Sequence, residues 1–265
     1  MSAGGNKVRG FVFDIDGCLV RGPRAIPGAP EALATLRARG SGIRFFTNDS
    51  AKTQAETAER LTAAGVEATA EEVLTSAVVA AAYVARRFPR GRVLIVGAPP
   101  LRVALEARGL SVVDAPPADA VVVGRDVDFT YAKLHAACRA IWDGAAFLAT
   151  NLDRRMPVAG GFVPGTGLLV KAVAWATASR PLVMGKPSVW AGRAAVASLG
   201  VPPREVAVVG DQLLQDIRMG KLAGTSTVLV LTGSSTREDV ERAPARLRPD
   251  AVLADVGHLT EWLAK

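Results

Sequence analysis

The chain has 265 residues, 49% of them hydrophobic and 22% charged, which is an ordinary globular composition with length for one or two cored domains. Net charge is +7, but the basic residues are dispersed and only 5% of residues are aromatic, so the excess reads as attraction for small anions and no nucleic-acid partner is expected. Two cysteines, Cys18 and Cys138, exclude a disulfide framework, and two histidines, His135 and His258, exclude a multi-histidine zinc site and any recognisable serine–histidine–aspartate triad.

Residues 1–7 lead into a strand-like run at 8–13 without the apolar region of a secretion signal. No uninterrupted apolar stretch approaches the roughly 18 residues of a membrane helix, so a cytoplasmic protein with no membrane partner is expected. A helix over 29–39 stops at Gly40, a natural left-handed helix end. A strand at 43–46 and a helix at 53–64, ending at Gly65, come next. Ser76 then caps a helix running to residue 88. Further strands are predicted at 93–96, 120–123, 146–149, 206–209 and 227–231, with helices at 101–108, 130–143, 168–178, 189–199 and 214–223. Such alternation specifies an α/β fold, a parallel sheet with helices on both faces, and all-apolar runs such as Val121-Val122-Val123 suit strands buried on both sides. Trp142, Trp175, Trp190 and Met156 sit in helical or apolar contexts and are expected to pack in a core or a domain interface.

In open α/β sheets ligands bind beyond the carboxyl ends of the strands. Four segments follow apolar runs there with a chemically loaded turn: Asp14-Ile15-Asp16-Gly17, Thr47-Asn48-Asp49-Ser50, Gly185-Lys186-Pro187 and Gly210-Asp211. They converge on one edge if all belong to one sheet. The stretch between the second and third carries its own strand–helix alternation, which assigns 80–181 to an inserted domain and leaves 1–79 with 182–265 as the core. A short internal echo, an apolar strand meeting Thr47-Asn48 and again Thr150-Asn151, supports two related modules.

Asp14 and Asp16 end a strand, and Gly17 permits a sharp turn, so both carboxylates approach one point. Two carboxylates this close repel unless a cation lies between them or one is protonated. Asp211 is the natural third acidic group, and an all-oxygen set suits Mg²⁺ better than zinc. A cation beside an aspartate nucleophile is a known solution for phosphoryl transfer, since it removes the repulsion between Asp14 and a dianionic phosphate. Thr47, Asn48 and Lys186 supply donors for the phosphoryl oxygens, and Asp216 is placed to orient Lys186 or a metal-bound water. Each segment alone has a plain reading as a turn or a helix cap; four in this order, each after an apolar run, form one geometric hypothesis.

These segments, with Phe13-Asp14-Ile15-Asp16-Gly17-Cys18-Leu19 and Gly210-Asp211 followed by Asp216-Ile217, resemble motifs I to IV of the haloacid dehalogenase superfamily. Ile26-Pro27-Gly28-Ala29 and Pro164-Gly165-Thr166-Gly167 are similar to its NagD or p-nitrophenylphosphatase branch, and the resemblance spans nearly the whole chain. It implies a Rossmann-like three-layer core with a large inserted α/β cap and a Mg²⁺-dependent phosphomonoesterase. Asp14 is then the nucleophile that forms an aspartyl-phosphate. Asp16 is the general acid and base, and Thr47, Asn48 and Lys186 bind phosphate. The resemblance places the metal on the Asp14 carboxylate, the Asp16 backbone carbonyl and Asp211. It also implies a homodimer through the cap.

Asp49 departs from the asparagine common at that position and is expected to cap the following helix. Cap residues expected to contact substrate are Arg125, Asp126, Asn151, Asp153, Arg154 and the loop 160–167. The expected partner is a small phosphorylated metabolite: a sugar phosphate, a nucleoside monophosphate or glycerol phosphate. Asp16 disfavours carbon–halogen cleavage. Phosphonate cleavage wants a Schiff-base lysine, and the insert offers only Lys133 and Lys171 outside any motif. The alternative is a non-catalytic phosphate- or nucleotide-sensing protein on the same scaffold. Cys18, beside the metal loop, reads as a small packed side chain open to oxidation.

Overall fold

A computed structural model describes residues 8–158 and 160–264; the segment inspected for a secretion signal lies outside the described residues. The chain divides into two compact units, one of Met1–Thr47, Gln54–Leu74 and Lys186–Lys265, the other of Asn48–Thr53 and Thr75–Gly185. The second unit therefore takes in the chain from 75 rather than 80, runs to 185 rather than 181, and holds the short run after Thr47 as well.

The first stretch forms β1 (Gly10–Asp14), a small hairpin of β2 (Val20–Arg21) and β3 (Arg24–Ala25), α1 (Ala29–Ala38), β4 (Gly42–Thr47), α2 (Gln54–Ala63) and β5 (Val73–Thr75). The second unit then supplies α3 (Ser76–Arg87), β6 (Arg92–Val96), α4 (Pro99–Glu106), β7 (Ser111–Val113), β8 (Ala120–Val123), α5 (Tyr131–Trp142) and β9 (Ala146–Ala149). It closes with the hairpin β10 (Arg155–Val158) and β11 (Gly161–Pro164), α6 (Thr166–Thr177) and β12 (Leu182–Val183). The chain ends with α7 (Val189–Leu199), β13 (Val206–Gly210), α8 (Arg218–Ala223), β14 (Ser226–Val230), α9 (Arg237–Arg242), β15 (Ala251–Leu253) and α10 (Leu259–Leu263). Among the described residues no helix is long and apolar enough to cross a membrane.

The first unit's sheet has the order β15-β14-β13-β1-β4-β5, with β15 through β4 pairing in parallel. Every residue of β1 and β13 is buried, as strands covered on both faces require. Phe11 and Phe13 point into a core filled by Leu33 and Leu36 of α1, Leu61 of α2 and Leu259 of α10. On the opposite face Leu199 of α7 packs against Gly10 and Gly42. The chain proceeds from β1 to β4 in one direction and from β13 through β14 to β15 in the other. The turns after β1 and β13 consequently leave the sheet where the winding reverses, the place where such sheets bind ligands.

The second unit has its own parallel sheet, in the order β12-β9-β8-β6-β7, with α5 and α6 burying Ala137, Ile141, Val170 and Val173 against it. One expectation fails here. β12, which precedes Lys186, pairs with β9 in this sheet, so only three of the four loaded turns end strands of the first unit's sheet. Thr75, not Ser76, caps α3 by accepting from the Val78 amide. The helix expected over 214–223 begins as a wide π-helical turn at Leu213–Ile217, and α8 follows. Trp142 and Trp175 are 58% and 91% exposed, against the expected packing; α6 is apolar nearly all round, so its sequence does not mark a single buried face.

Candidate active site

Asp14 is the last residue of β1 and follows four buried residues, Gly10 to Phe13, so its carboxyl is buried at the end of the strand. Gly17 follows with φ +89°, and the turn closes with Gly17 N–H donating to Val20 O at 2.8 Å. A side chain at Gly17 is excluded twice, by that backbone angle and by the Asp211 carboxylate, 2.8 Å from where a Cβ would lie. Asp211 leaves β13 immediately beside this turn. The π-helical turn at Leu213–Ile217 then swings Asp216 back, so that its Oδ2 accepts from the Gln212 amide at 3.1 Å.

Lys186 enters on the loop before α7, whose cap Ser188 accepts from Ala191 N–H. Its ammonium is 4% exposed, forms a close ion pair with Asp14 and donates to Asp216 Oδ1 at 2.7 Å. It also lies 5.9 Å from the Phe46 ring centroid. Burial alone would lower the affinity of Lys186 for its proton, but Asp14 and Asp216 outweigh it, and the group stays charged. Burial pushes the Asp14 carboxyl well up; Lys186 opposes this, while Asp216 and Asp211 add to it. Asp216 is raised as well, by burial first and by Asp211.

Three carboxylates therefore cluster beside one ammonium, which pairs with two of them, Asp14 and Asp216. One oxygen each of Asp14, Asp211 and Asp216 lies within 4.8 Å of the others, and a fully ionised cluster carries two negative charges in excess. Asp211 is 1% exposed, and among the described residues its Oδ1 has no hydrogen-bond partner, although its Oδ2 accepts from Ser234 N–H at 2.6 Å. An orphaned, buried carboxylate oxygen inside an acidic cluster fits a small divalent cation. Both Asp216 oxygens are engaged, by Lys186 and by the Gln212 amide, whereas Asp14 gives Lys186 one oxygen only, so Asp14 and Asp211 are the side chains available as ligands.

Against the expectation that both carboxylates approach one point, the Asp16 side chain points outward, 52% exposed, and makes a two-pronged pair with Arg60 of α2, both contacts at 2.9 Å. No local signal announces Arg60, which lies in an alanine- and glutamate-rich helix far along the chain. Thr47 ends β4, next to β1 in the sheet, and is buried. Asn48 belongs to the second unit. Its backbone carbonyl accepts from Asn151 Nδ2 at 2.7 Å and from Ser76 Oγ at 2.8 Å, while its own Nδ2 donates to Asp153 Oδ2 at 3.2 Å. The two halves of the sequence echo thus touch. Asn151 and Asp153, expected to meet substrate, are engaged in holding Asn48.

Asp126 is buried and paired with Lys133 at 2.8 Å, which accounts for both residues structurally. Arg125 donates its amide to Ser50 Oγ at 3.0 Å, and Arg154 is exposed. Asp49 does not cap α2, which begins at Gln54; its Oδ1 accepts from Ala51 N–H at 2.9 Å and closes a local turn. Cys18 is buried, donates towards Val209 O at 3.7 Å, and has its thiol pushed up by burial, so it lacks the thiolate character that oxidation requires. His258 is bonded to Asp255 at 2.8 Å in a short turn, away from any acid–base work here.

A haloacid dehalogenase-like hydrolase model matches residues 11–111, and a HAD-hydrolase-like model matches residues 183–259. The chain is 35% identical to a 4-nitrophenylphosphatase from Thermotoga maritima, with a TM-score of 0.91 over 98% of both chains. It is 32% identical to NagD from Escherichia coli K-12, with a TM-score of 0.88 over 94% of this chain and 97% of that one. It is 34% identical to a glycerol phosphate phosphatase from Mycobacterium tuberculosis solved in complex with magnesium, with a TM-score of 0.89 over 95% of this chain and 76% of that one. The α/β sheets, the order of the four motifs and these likenesses together establish that the chain belongs to the haloacid dehalogenase-like hydrolases, in the NagD branch, and is an enzyme of the phosphatase type.

Proposed function

We propose that the chain hydrolyses a small phosphomonoester, such as glycerol phosphate, a sugar phosphate or a nucleoside monophosphate, in the cytoplasm and with Mg²⁺. The observation that carries this reading is the buried cluster of Asp14, Asp211 and Asp216 around Lys186 at the sheet's reversal point. Support comes also from a relative of this branch that was solved with magnesium.

In this reading an Asp14 oxygen attacks phosphorus, the bond from phosphorus to the leaving oxygen breaks, and Asp16 passes its proton to that oxygen. Water then attacks the aspartyl-phosphate, Asp16 takes the water's proton, and the bond from Asp14 to phosphorus breaks to release phosphate. Thr47, Asn48 and Lys186 hold the phosphoryl oxygens, and Asp216 keeps the Lys186 ammonium in place. A divalent cation on Asp14, the Asp16 carbonyl and Asp211 supplies charge neutralisation when bound. Arg60 fixes the plane of the Asp16 carboxylate between turnovers.

Turnover of p-nitrophenyl phosphate with Mg²⁺, its loss in EDTA and its loss in Asp14→Asn test the reading. Inactivity of the folded protein on this ester and on a panel of phosphorylated metabolites would transfer support to a sensing role. Asp16→Asn separates the acid from the nucleophile. A nitrophenolate leaves without a proton, whereas an alkoxide needs one, so this variant should lose at least about tenfold more turnover on glycerol phosphate than on the nitrophenyl ester. Equal losses on both would remove Asp16 from the acid role.

Mg²⁺ should also raise the melting temperature of the wild type, because it binds the folded chain alone. At a concentration about a hundredfold above its dissociation constant the gain is about 2.7 kcal/mol, and Asp211→Asn should show little of it.

A further inference from the structure

We infer that the turn 232–235, after β14, is the clamp that aims Asp211 at the divalent cation, and that Gly233 and Ser234 thereby determine cation affinity. This rests on the proposed cation site, and goes beyond it by assigning work to residues outside the four motifs. The turn is exposed to solvent on one side at Gly233 and Ser234, but its other side lies on the Asp211 carboxylate.

Asp211 differs from the other two carboxylates of the cluster. Asp14 and Asp216 are matched by Lys186, whereas Asp211 accepts from backbone amides of this turn. Ser234 N–H donates to its Oδ2 at 2.6 Å and Ser235 N–H to its backbone carbonyl at 3.1 Å. Ser235 Oγ accepts from Leu213 N–H at 3.1 Å, which ties the turn to the residues just beyond Asp211. Thr232 Oγ1 donates to Gly17 O at 2.6 Å, which ties it to the Asp14 loop. The two carboxylate oxygens thus have different duties: Oδ2 is held by the turn, and Oδ1 is left buried and open.

The clamp is steric as well as polar. A Cβ on Gly233 would lie 2.0 Å from Asp211 Oδ2 and 2.4 Å from its Cγ, closer than any real contact. Gly17 closes the same oxygen from another direction. The carboxylate therefore packs against the bare Gly233 backbone, in space that only a glycine leaves open, and ligands held in place before a cation arrives bind it more tightly than free ones. Even a methyl group at 233 must push the turn outward, break the Ser234 contact and release the carboxylate.

Calorimetric Mg²⁺ titration, with Mn²⁺ read by electron paramagnetic resonance as a second probe, tests this on the full chain without reference to turnover. The wild type should bind, Asp211→Asn should not, and Gly233→Ala should bind about 10- to 100-fold more weakly. Thr232→Val, which removes only the tie to Gly17, should weaken binding several-fold and decides the matter if Gly233→Ala fails to fold by circular dichroism. Wild-type affinity in folded Gly233→Ala, or in Thr232→Val where that variant must decide, would overturn the clamp while leaving the cation site intact. A wild type that binds neither ion would overturn both.

Discussion

Lys186→Met should cost about 3–5 kcal/mol of stability in the metal-free protein, measured by denaturant unfolding, and should abolish turnover. The methionine keeps most of the stem volume, so the loss is electrostatic rather than a cavity. Lys186 is 4% exposed and holds Asp14 and Asp216, which are 9% and 1% exposed; removing it strands two buried carboxylates. The sign of the pH dependence follows. The folded-state pKa of Lys186 is raised, so its contribution is present below the ordinary lysine range and is lost only as pH rises through the folded value. In the variant the contribution of Asp14 and Asp216, both raised already, is fully present below the ordinary carboxyl range and is lost as pH rises through their folded values. The deficit should therefore be largest near neutrality and shrink on acidification. A deficit below about 1 kcal/mol, or one unchanged between neutral and acidic pH, would mean that the cluster is solvated and that Lys186 is not its counter-charge.

Two of the four loaded turns were conspicuous because a fully buried strand makes a polar residue at its end stand out. Asp14 follows Gly10–Phe13 and Asp211 follows Val206–Gly210, both without a polar break. Ala120–Val123, Ala146–Ala149 and Val189–Leu199 match their predicted limits, since buried strands and a serine-capped helix carry local signals. Lys186 was legible as a residue but not in its placement. β12 has only two residues, and its pairing with β9 is a non-local choice that no window of sequence reports.

The same limit hid Arg60 and the clamp. Arg60 meets Asp16 across 44 positions of chain, and a lone arginine on an exposed helix carries no mark of its partner. A signal for 232–235 did exist: Thr232-Gly233-Ser234-Ser235 is a small, polar turn directly after a buried strand of the sheet that ends in Asp211. It lacked a titratable group, and a reading for charge gave it no role. Asn151 and Asp153 illustrate the converse, since polarity after a strand suggested substrate contact where the structure uses both side chains to hold Asn48.

Asp14→Asn should separate stability from activity. Turnover should fall by at least about 10³-fold, because the amide nitrogen or oxygen cannot replace the carboxylate as nucleophile. Metal-free stability near neutral pH should nonetheless match or exceed that of the wild type. The folded-state pKa of Asp14 is raised, by burial first and against the pull of Lys186, so its penalty on the fold grows as pH rises from the ordinary carboxyl range to that value. The neutral amide removes one of three carboxylates, and Lys186 keeps its contact to Asp216 at 2.7 Å. Added Mg²⁺ should reverse the order, raising the melting temperature of the wild type more than that of the variant, since the variant lacks one charged ligand. A variant less stable than the wild type in EDTA would show that Lys186 satisfies all three carboxylates without a cation. The excess of negative charge around Asp211 Oδ1 would then not be the force that draws a cation in.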